Sequence, residues 1–308
     1  MHVRVLGAAA GGGFPQWNCN CPGCARARSG DCAVRPRTQA SLAVSADGVR
    51  WVLLNASPDL PYQIASAPCL QPKPGDPLRH SPICAVIISG GDVDCIAGLL
   101  SMREAQKFAL YADGFVQKLF YENRIFRVLD RRFVTFSALP SGQVVDVRGA
   151  DGAALRLTVE AFPVPGKVPL YEENSDDIAA LHAAGAVVGL CISDGASRIF
   201  YIPGCAAVTP ELRARRRPDD VLFFDGTLWR DDEMIAAGTG VKTGARMGHI
   251  SVSGPAGSIA AFADVAIARK IFIHINNTNP MLCDNSAQAA FVRQAGWEIA
   301  YDGMELTC

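Results

Sequence analysis

The hydrophobic pattern of the chain predicts many short strands with helices between them. Short apolar runs are bounded by glycine, proline or aspartate, as is typical of interior strands of an α/β sheet. Asp-Gly turns between apolar runs predict hairpins at residues 37–54 and 187–202. Further strands are predicted at residues 2–6, 85–88, 109–111, 133–136, 143–147, 155–162, 221–224, 270–273 and 297–301.

Helical patterns fall between these strands and after them. They cover residues 96–107, 114–123, 258–268 and 286–295. The acidic, alanine-rich residues 172–184 predict a mobile segment or a short helix near the mouth of a site. The two halves of the chain are similarly rich in strands and no linker separates them. A single domain over residues 1–308 is therefore expected, with two packed sheets and helices outside.

The most informative stretch is residues 84–100, CAVIISGGDVDCIAGLL, in which two acids and a thiol follow a buried strand. Ligands of α/β sheets bind at the carboxyl ends of strands, where Asp92, Asp94 and Cys95 fall. A plain strand-to-helix turn with Asp94 as the N-cap is the alternative interpretation. The crowding of the three side chains in one turn favours a site.

The same pattern recurs later in the chain. Asp225 and His274 each end an apolar strand, and His249 follows a glycine-rich loop. Taken alone, His249 is equally well explained as a capping residue and His274 as a core histidine. Together with the acids and the thiol of residues 84–100, they predict a cluster of carboxylates and imidazoles that holds a metal.

A second candidate metal site lies near the N-terminus. Cys19, Cys21 and Cys24 form a CxCxxC pattern on a tight proline-glycine loop. Zinc takes four tetrahedral ligands, so the spacing predicts a structural zinc whose fourth ligand comes from elsewhere. Asp31 and Cys32 are weaker candidates for that position. The cysteines that we interpret as packing residues are Cys69, Cys84, Cys191, Cys205, Cys283 and Cys308.

Composition narrows the possible partners. The chain has 308 residues and a formal net charge of −1, which gives no indication of binding to nucleic acid or to a membrane surface. Its apolar runs are shorter than the roughly 18–20 residues of a membrane span. The N-terminal apolar run is too short for a signal peptide, so a cytoplasmic protein is expected. The oligomeric state is open, with a homodimer as one possibility.

The strand-end motif resembles a known superfamily. Asp92 to Cys95 occupies the place of the HxHxDH motif of the metallo-β-lactamase superfamily, with Gly90 and Asp92 at the positions of the first two histidines. Asp225 resembles the metal-bridging aspartate of that superfamily, and His274 resembles its terminal histidine.

Longer motifs resemble the PqqB family of pyrroloquinoline quinone (PQQ) biosynthesis proteins within this superfamily, over nearly the whole chain. The motifs are GGGFPQWNCNCPGC (residues 11–24), RPRTQ (35–39), LNASPD (54–59), FDGTLW (224–229), RMGH (246–249) and HINNTNP (274–280). The resemblance implies an α/β (α+β) fold, namely a four-layer αββα sandwich. It also implies a structural zinc on the CxCxxC loop and a role in making PQQ.

The resemblance leaves two activities open. One is Fe(II)- and O2-dependent hydroxylation of the tyrosine ring in a cross-linked Glu–Tyr precursor. The other is a non-catalytic carrier that helps to transport PQQ or a precursor to the periplasm. A hydrolase is less well supported, because Gly90 cannot ligate a metal and Lys167 stands where many hydrolases of the superfamily have a histidine. The family usually has histidine at position 95, and cysteine, a softer ligand, would favour zinc.

For the hydroxylase, His249, His274 and Asp92 would hold the iron, with Asp94 or Asp225 as a further ligand. Arg37, Lys167 and Arg246 are candidates to pair with the carboxylates of the precursor. The resemblance also bears on the zinc loop. Asn277 stands where relatives in the superfamily place a second histidine, and it is a poor zinc ligand, so His274 or a water would substitute.

Overall fold

The computed structural model describes residues 1–172 and 187–308, and its strands form two seven-stranded mixed sheets. The strands are β1 (His2–Gly7), β2 (Ser41–Ser45), β3 (Trp51–Leu54), β4 (Ile83–Ile87), β5 (Phe108–Ala112), β6 (Val134–Ala138), β7 (Val144–Arg148), β8 (Ala154–Pro163), β9 (Val188–Ser193), β10 (Arg198–Ile202), β11 (Val221–Asp225), β12 (Arg269–Ile273), β13 (Trp297–Ile299) and β14 (Glu305–Thr307). One sheet has the order β14-β1-β2-β3-β4-β5-β6, and the other has the order β13-β12-β11-β10-β9-β8-β7.

The helices are short and lie in the connections between strands. They are α1 (Pro22–Arg28), α2 (Leu60–Ala65), α3 (Val93–Ile96), α4 (Gly114–Glu122), α5 (Pro210–Ala214), α6 (Glu233–Ala236), α7 (Gly244–Met247), α8 (Ser258–Ala261) and α9 (Ala287–Gln294). Turns of 3-10 helix cover Pro68–Leu70, Ala97–Met102, Arg124–Val128, Leu170–Glu172 and Pro280–Leu282. Among the described residues, no helix is long and apolar enough to cross a bilayer.

Successive side chains of a strand point to opposite faces of its sheet, and the apolar inner faces of the two sheets pack against each other. Leu54 of β3 and Phe223 of β11 belong to one buried cluster between the sheets, to which both sheets contribute. The adjacent Leu53 packs on the outer face of the first sheet, where α4 contributes Leu119. A third cluster, which includes Phe272, covers the outer face of the second sheet. The predicted αββα sandwich is therefore confirmed.

Parallel pairing places several strand ends at one edge of the sandwich. β3 to β6 pair in parallel, and so do β10 to β13. The carboxyl ends of β4, β11 and β12 are followed by the acids and histidines that the sequence singles out. Because the carboxyl ends of parallel strands lie at the same edge of a sheet, the pairing brings these residues close together.

Some predicted elements differ from the structure. The helix expected from residue 96 begins at Val93, so the N-cap is Asp92 and not Asp94. The helix expected over residues 258–268 covers only Ser258–Ala261. The sequence patterns missed β14. The segment predicted at residues 172–184 lies outside the described residues from residue 173 onward.

A tight backbone contact fixes the turn that carries Cys95. The N–H of Ala56 donates to the carbonyl of Cys95 at 2.7 Å, and the N–H of Gly98 donates to the carbonyl of Ala56 at 2.8 Å. A Cβ atom on Gly98 would lie 2.1 Å from the carbonyl oxygen of Ser57. We expect Gly98→Ala to lower the free energy of unfolding by about 1–3 kcal/mol, because the backbone must move apart.

Urea denaturation measures this effect. Gly114→Ala is the control, because a Cβ atom there meets nothing within 4 Å at the first residue of α4. It should be neutral or stabilise the protein by less than about 1 kcal/mol. Equal unfolding midpoints for Gly98→Ala and the unchanged protein would contradict the expectation.

Candidate metal centres

A cavity of about 500 Å³ opens at the strand ends of the sandwich. Its wall includes Asp92, Asp94, Cys95, His249 and His274, which the sequence predicts as site residues. The loop after β1 also contributes: Gly11 lines the cavity, and a Cβ atom on it would be in ordinary contact with a carboxylate oxygen of Asp94, at 3.5 Å.

His249 and His274 line this cavity, and Asp225 is buried against His249. Their potential ligand atoms lie within 4.8 Å of one another. The two imidazole rings stack with their centroids 5.2 Å apart. His274 has a positive φ of 57°, which turns the chain sharply at the end of β12. Two imidazoles beside carboxylates form a donor set that suits a divalent transition metal.

Asp94 completes this cluster from the other sheet. Its Oδ2 lies 2.9 Å from Nε2 of His274. Burial alone would raise the pKa of Asp94, but the hydrogen bond and charge of His274 hold that pKa below its ordinary value. Burial likewise opposes the charged form of His274, and the bond to Asp94 raises the pKa of this imidazole. Each of the two groups therefore favours the charged form of the other.

Asp92 lies on the same turn and has a different electrostatic environment. Burial, together with the nearby charge of Asp94, raises the pKa of Asp92 to about 6. The charge of Lys167, which lines the same cavity, opposes this increase in pKa. A cation in the cavity would favour the ionised form of this carboxyl group.

Cys95 faces the cavity and also packs against the apolar core of the first sheet. Its Sγ accepts a hydrogen bond of 3.3 Å from Nδ2 of Asn55, which has a φ of 63°. Burial, followed by the charges of Asp94 and Asp92, raises the pKa of this thiol well above its ordinary value. Cys95 thus borders the cluster as a neutral thiol.

Thr227 lies within the FDGTLW motif but was not predicted as a site residue. Its Oγ1 lies 2.6 Å from Oδ1 of Asp225, 3.1 Å from Nδ1 of His249 and 2.8 Å from Nδ1 of His274. A hydroxyl two residues after an acid at a strand end was the available signal. That spacing lets the Thr227 N–H bond to the carboxylate, here at 2.9 Å.

The three cationic side chains that we predicted to pair with the substrate lie in different parts of the structure. Lys167 lines the cavity, and so does Lys242, which the sequence motifs did not identify. Arg37 is buried and donates from Nε to the carbonyl of Ala300 at 3.0 Å, beside a different cavity. Arg246 is exposed on α7. Of the three predicted cations, the structure therefore brings only Lys167 into the wall of this cavity.

The three cysteines of the CxCxxC loop form a second cluster. The sulfur atoms of Cys19, Cys21 and Cys24 lie within 4.8 Å of one another. Burial and hydrogen bonding with the neighbouring thiols raise the pKa of Cys21 to about 11. A divalent cation would offset the repulsion between three thiolates, so the donor set fits zinc.

Asn277 caps this sulfur cluster. Its side-chain Nδ2 lies 3.1 Å from the sulfur of Cys19 and 3.4 Å from that of Cys24. The side-chain amide of Asn277 can rotate so that its oxygen Oδ1, in place of Nδ2, lies beside the sulfurs. The sequence offered His274 as a substitute fourth ligand, but its side chain is bonded to Asp94. The side chain on the fourth side of the sulfur cluster is that of Asn277.

The fold and the two clusters define a metallo-β-lactamase-like protein. A model of the β-lactamase superfamily domain matches residues 50–275. A diphosphatase from the PhnP family has the same fold, with 18% identity and a TM-score of 0.68 over 99% of this chain and 96% of the other.

Closer relatives define the family. Coenzyme PQQ synthesis protein B of Gluconacetobacter diazotrophicus is 53% identical over 307 residues, which are 100% of this chain and 99% of that protein. The crystal structure of Zn(2+)-bound PqqB from Methylobacterium extorquens has 48% identity and a TM-score of 0.92, with full coverage of both chains. The chain belongs to the family of coenzyme PQQ synthesis protein B.

Proposed function

We propose that the chain hydroxylates the tyrosine ring of a cross-linked Glu–Tyr precursor during PQQ biosynthesis, using Fe(II) and O2. One observation carries the proposal: His249 and His274 converge with carboxylates in a single cavity. Two histidines and one carboxylate with open positions are the donor set of non-haem Fe(II) oxygenases. Iron held there would supply the activation of O2 and the redox chemistry.

The rest of the cavity suits a small acidic aromatic substrate. Its volume of about 500 Å³ falls in the range of small-molecule sites. Lys167 and Lys242 line the wall and would pair with the carboxylates of the precursor. Leu170, Met234 and Met247 supply apolar surface for the phenol ring and exclude water from it.

A structural zinc on the CxCxxC loop forms the second part of the proposal. The sulfurs of Cys19, Cys21 and Cys24 already lie close together, with the Asn277 side chain on their fourth side. The 48%-identical relative is described as Zn(2+)-bound. Zinc in this position would tie the N-terminal loop to the segment after β12 and would take no part in the reaction.

Anaerobic loading with Fe(II), followed by O2 and an added reductant, tests the hydroxylase. With a Glu–Tyr cross-linked dipeptide we expect O2 uptake and a product heavier by one oxygen atom. Protein loaded with zinc alone is the control and should give neither. Tight binding of the dipeptide or PQQ without O2 uptake would replace this proposal with the carrier, and hydrolytic turnover by the zinc form would replace it with the hydrolase.

Position 95 should tune the same centre. We expect Cys95→His to raise iron occupancy and hydroxylation, because imidazole suits iron better than a soft thiol and the side chain lines the cavity. An increase of about tenfold in affinity is the expected scale for an added or better-oriented ligand. Iron titration and O2 uptake on both forms measure it.

Cys69→His is the control, because it places an imidazole at a half-buried cysteine outside both clusters. It should leave occupancy and rate unchanged. Equal values for Cys95→His and the unchanged protein would remove position 95 from the site. A slower Cys95→His variant would show that the chain is adapted to the thiol.

A further inference from the structure

The carboxylate of Asp225 is saturated by hydrogen bonds from the protein. Oδ1 accepts from the Thr227 N–H at 2.9 Å and from the Thr227 hydroxyl at 2.6 Å. Oδ2 accepts from the N–H of Cys205 at 2.9 Å and from Nδ1 of His249 at 2.7 Å. An ionised carboxylate offers about four lone-pair sites, and four donors occupy them. Asp225 is also fully buried and forms no part of the cavity wall.

These bonds determine which nitrogen of each histidine carries a proton. His249 donates from Nδ1 to Oδ2 of Asp225. The Thr227 hydroxyl has one proton, and its shortest and charge-assisted bond, at 2.6 Å, gives that proton to Asp225. The hydroxyl must then accept the Nδ1 proton of His274, 2.8 Å away. Both imidazoles therefore carry a proton on Nδ1, and Nε2 is the nitrogen of each ring that a metal can use.

The other ring nitrogen of His274 donates to a different carboxylate, and a metal ion would displace that proton. Nε2 of His274 lies 2.9 Å from Oδ2 of Asp94, which lines the cavity. Asp94 carries fewer protein hydrogen bonds than Asp225 and lines the cavity beside His274. In many metal sites, a ligating histidine donates its other N–H to a carboxylate, which orients the ring and does not itself bind the metal.

We propose that Asp225 is a positioning residue that orients His249 directly and His274 through Thr227, while Asp94 supplies the carboxylate ligand of the metal. This assignment differs from the bridging role that the superfamily resemblance suggests for Asp225. It goes beyond the proposed hydroxylase, because it holds for whichever divalent metal occupies the cavity and whichever reaction follows.

Cobalt(II) titration tests the assignment without measuring turnover. The cysteine cluster is first filled with zinc, and the visible ligand-field spectrum of cobalt then reports the cavity. We expect Asp225→Asn to weaken binding by about 10–100-fold and to leave the band positions of bound cobalt unchanged, as for an orienting partner. Asp94→Asn should change the bands, because a charged ligand is lost. Thr227→Val should resemble Asp225→Asn.

Changed bands in Asp225→Asn, or unchanged bands in Asp94→Asn, would overturn the assignment. If Asp225→Asn fails to fold, a second measurement replaces it. In the metal-free protein at alkaline pH, two-bond proton–nitrogen NMR spectra should show His249 with its proton on Nδ1, and a spectrum with the proton on Nε2 would overturn the proposal. Neither experiment depends on O2 uptake, so the hydroxylase proposal can fail while this one stands.

Discussion

His274→Ala is expected to abolish iron binding in the cavity and to leave zinc on the cysteine loop. His274 presents Nε2 toward Asp94 and belongs to the cluster with Asp225 and His249. Loss of a direct ligand should lower iron affinity by more than the roughly 10–100-fold that outer hydrogen-bond partners contribute. Metal analysis after loading with both ions measures the two sites separately.

His80→Ala is the control for this variant. His80 lies on a proline-rich loop, 3.7 Å from Asp76, and belongs to neither cluster. It should keep both metals at full occupancy. Simultaneous loss of zinc and iron from His274→Ala, with the fold intact, would show that the two clusters form one site.

Cys21→Ser is expected to lower bound zinc and the stability of the protein together. The sulfur of Cys21 lies with those of Cys19 and Cys24, and a structural metal contributes its binding energy to folding. The free energy of unfolding should fall by about 3 kcal/mol or more, at the upper end of effects of single substitutions. Zinc stoichiometry and urea denaturation are the measurements.

Cys32→Ser removes a nearby cysteine that is exposed and lies outside the sulfur cluster, so it is the matched control. It should retain zinc and unfold at the same urea concentration as the unchanged protein. Full zinc content in Cys21→Ser would disprove the structural site. If zinc is lost while stability is unchanged, the loop binds the metal without depending on it.

Local sequence patterns were sufficient for most strands. β4, β11 and β12 each contain a continuous apolar run with clear ends, and the Asp-Gly turns correctly placed both hairpins. β14 was missed because it has three residues with only Leu306 buried, which is too short a pattern to detect. Its existence depends on pairing with β1, from the opposite end of the chain.

Tertiary contacts also explain where helical pattern and structure disagree. Residues 258–268 have a helical composition, yet α8 ends at Ala261. The N–H of Ala268 donates instead to the carbonyl of Asp220 at 3.1 Å, which places the start of β12 beside the start of β11. Helix propensity is a local property and does not account for an acceptor as distant in sequence as Asp220, so the predicted helix was too long.

The candidate site was predictable in its residue types but not in its internal geometry. Asp94 and His274, separated by 180 residues, were both expected at strand ends, and the structure brings them within 2.9 Å. Residue patterns alone do not rank Asp94 against Asp225 as a ligand. That distinction depends on the donors around Asp225, and Cys205 and Thr227 bring two of them from different loops.

The left-handed backbone conformation of His274 lowers the stability of the fold, and the candidate metal site requires the histidine there. A residue with a Cβ atom at a φ of 57° costs about 1–2 kcal/mol relative to a relaxed conformation, whereas glycine or asparagine adopts it readily. Selection that acted on folding alone would replace this histidine. A homologue that has lost its metal is therefore expected to drift to glycine or asparagine here, so the residue at this position would show from sequence whether a family member still performs metal chemistry.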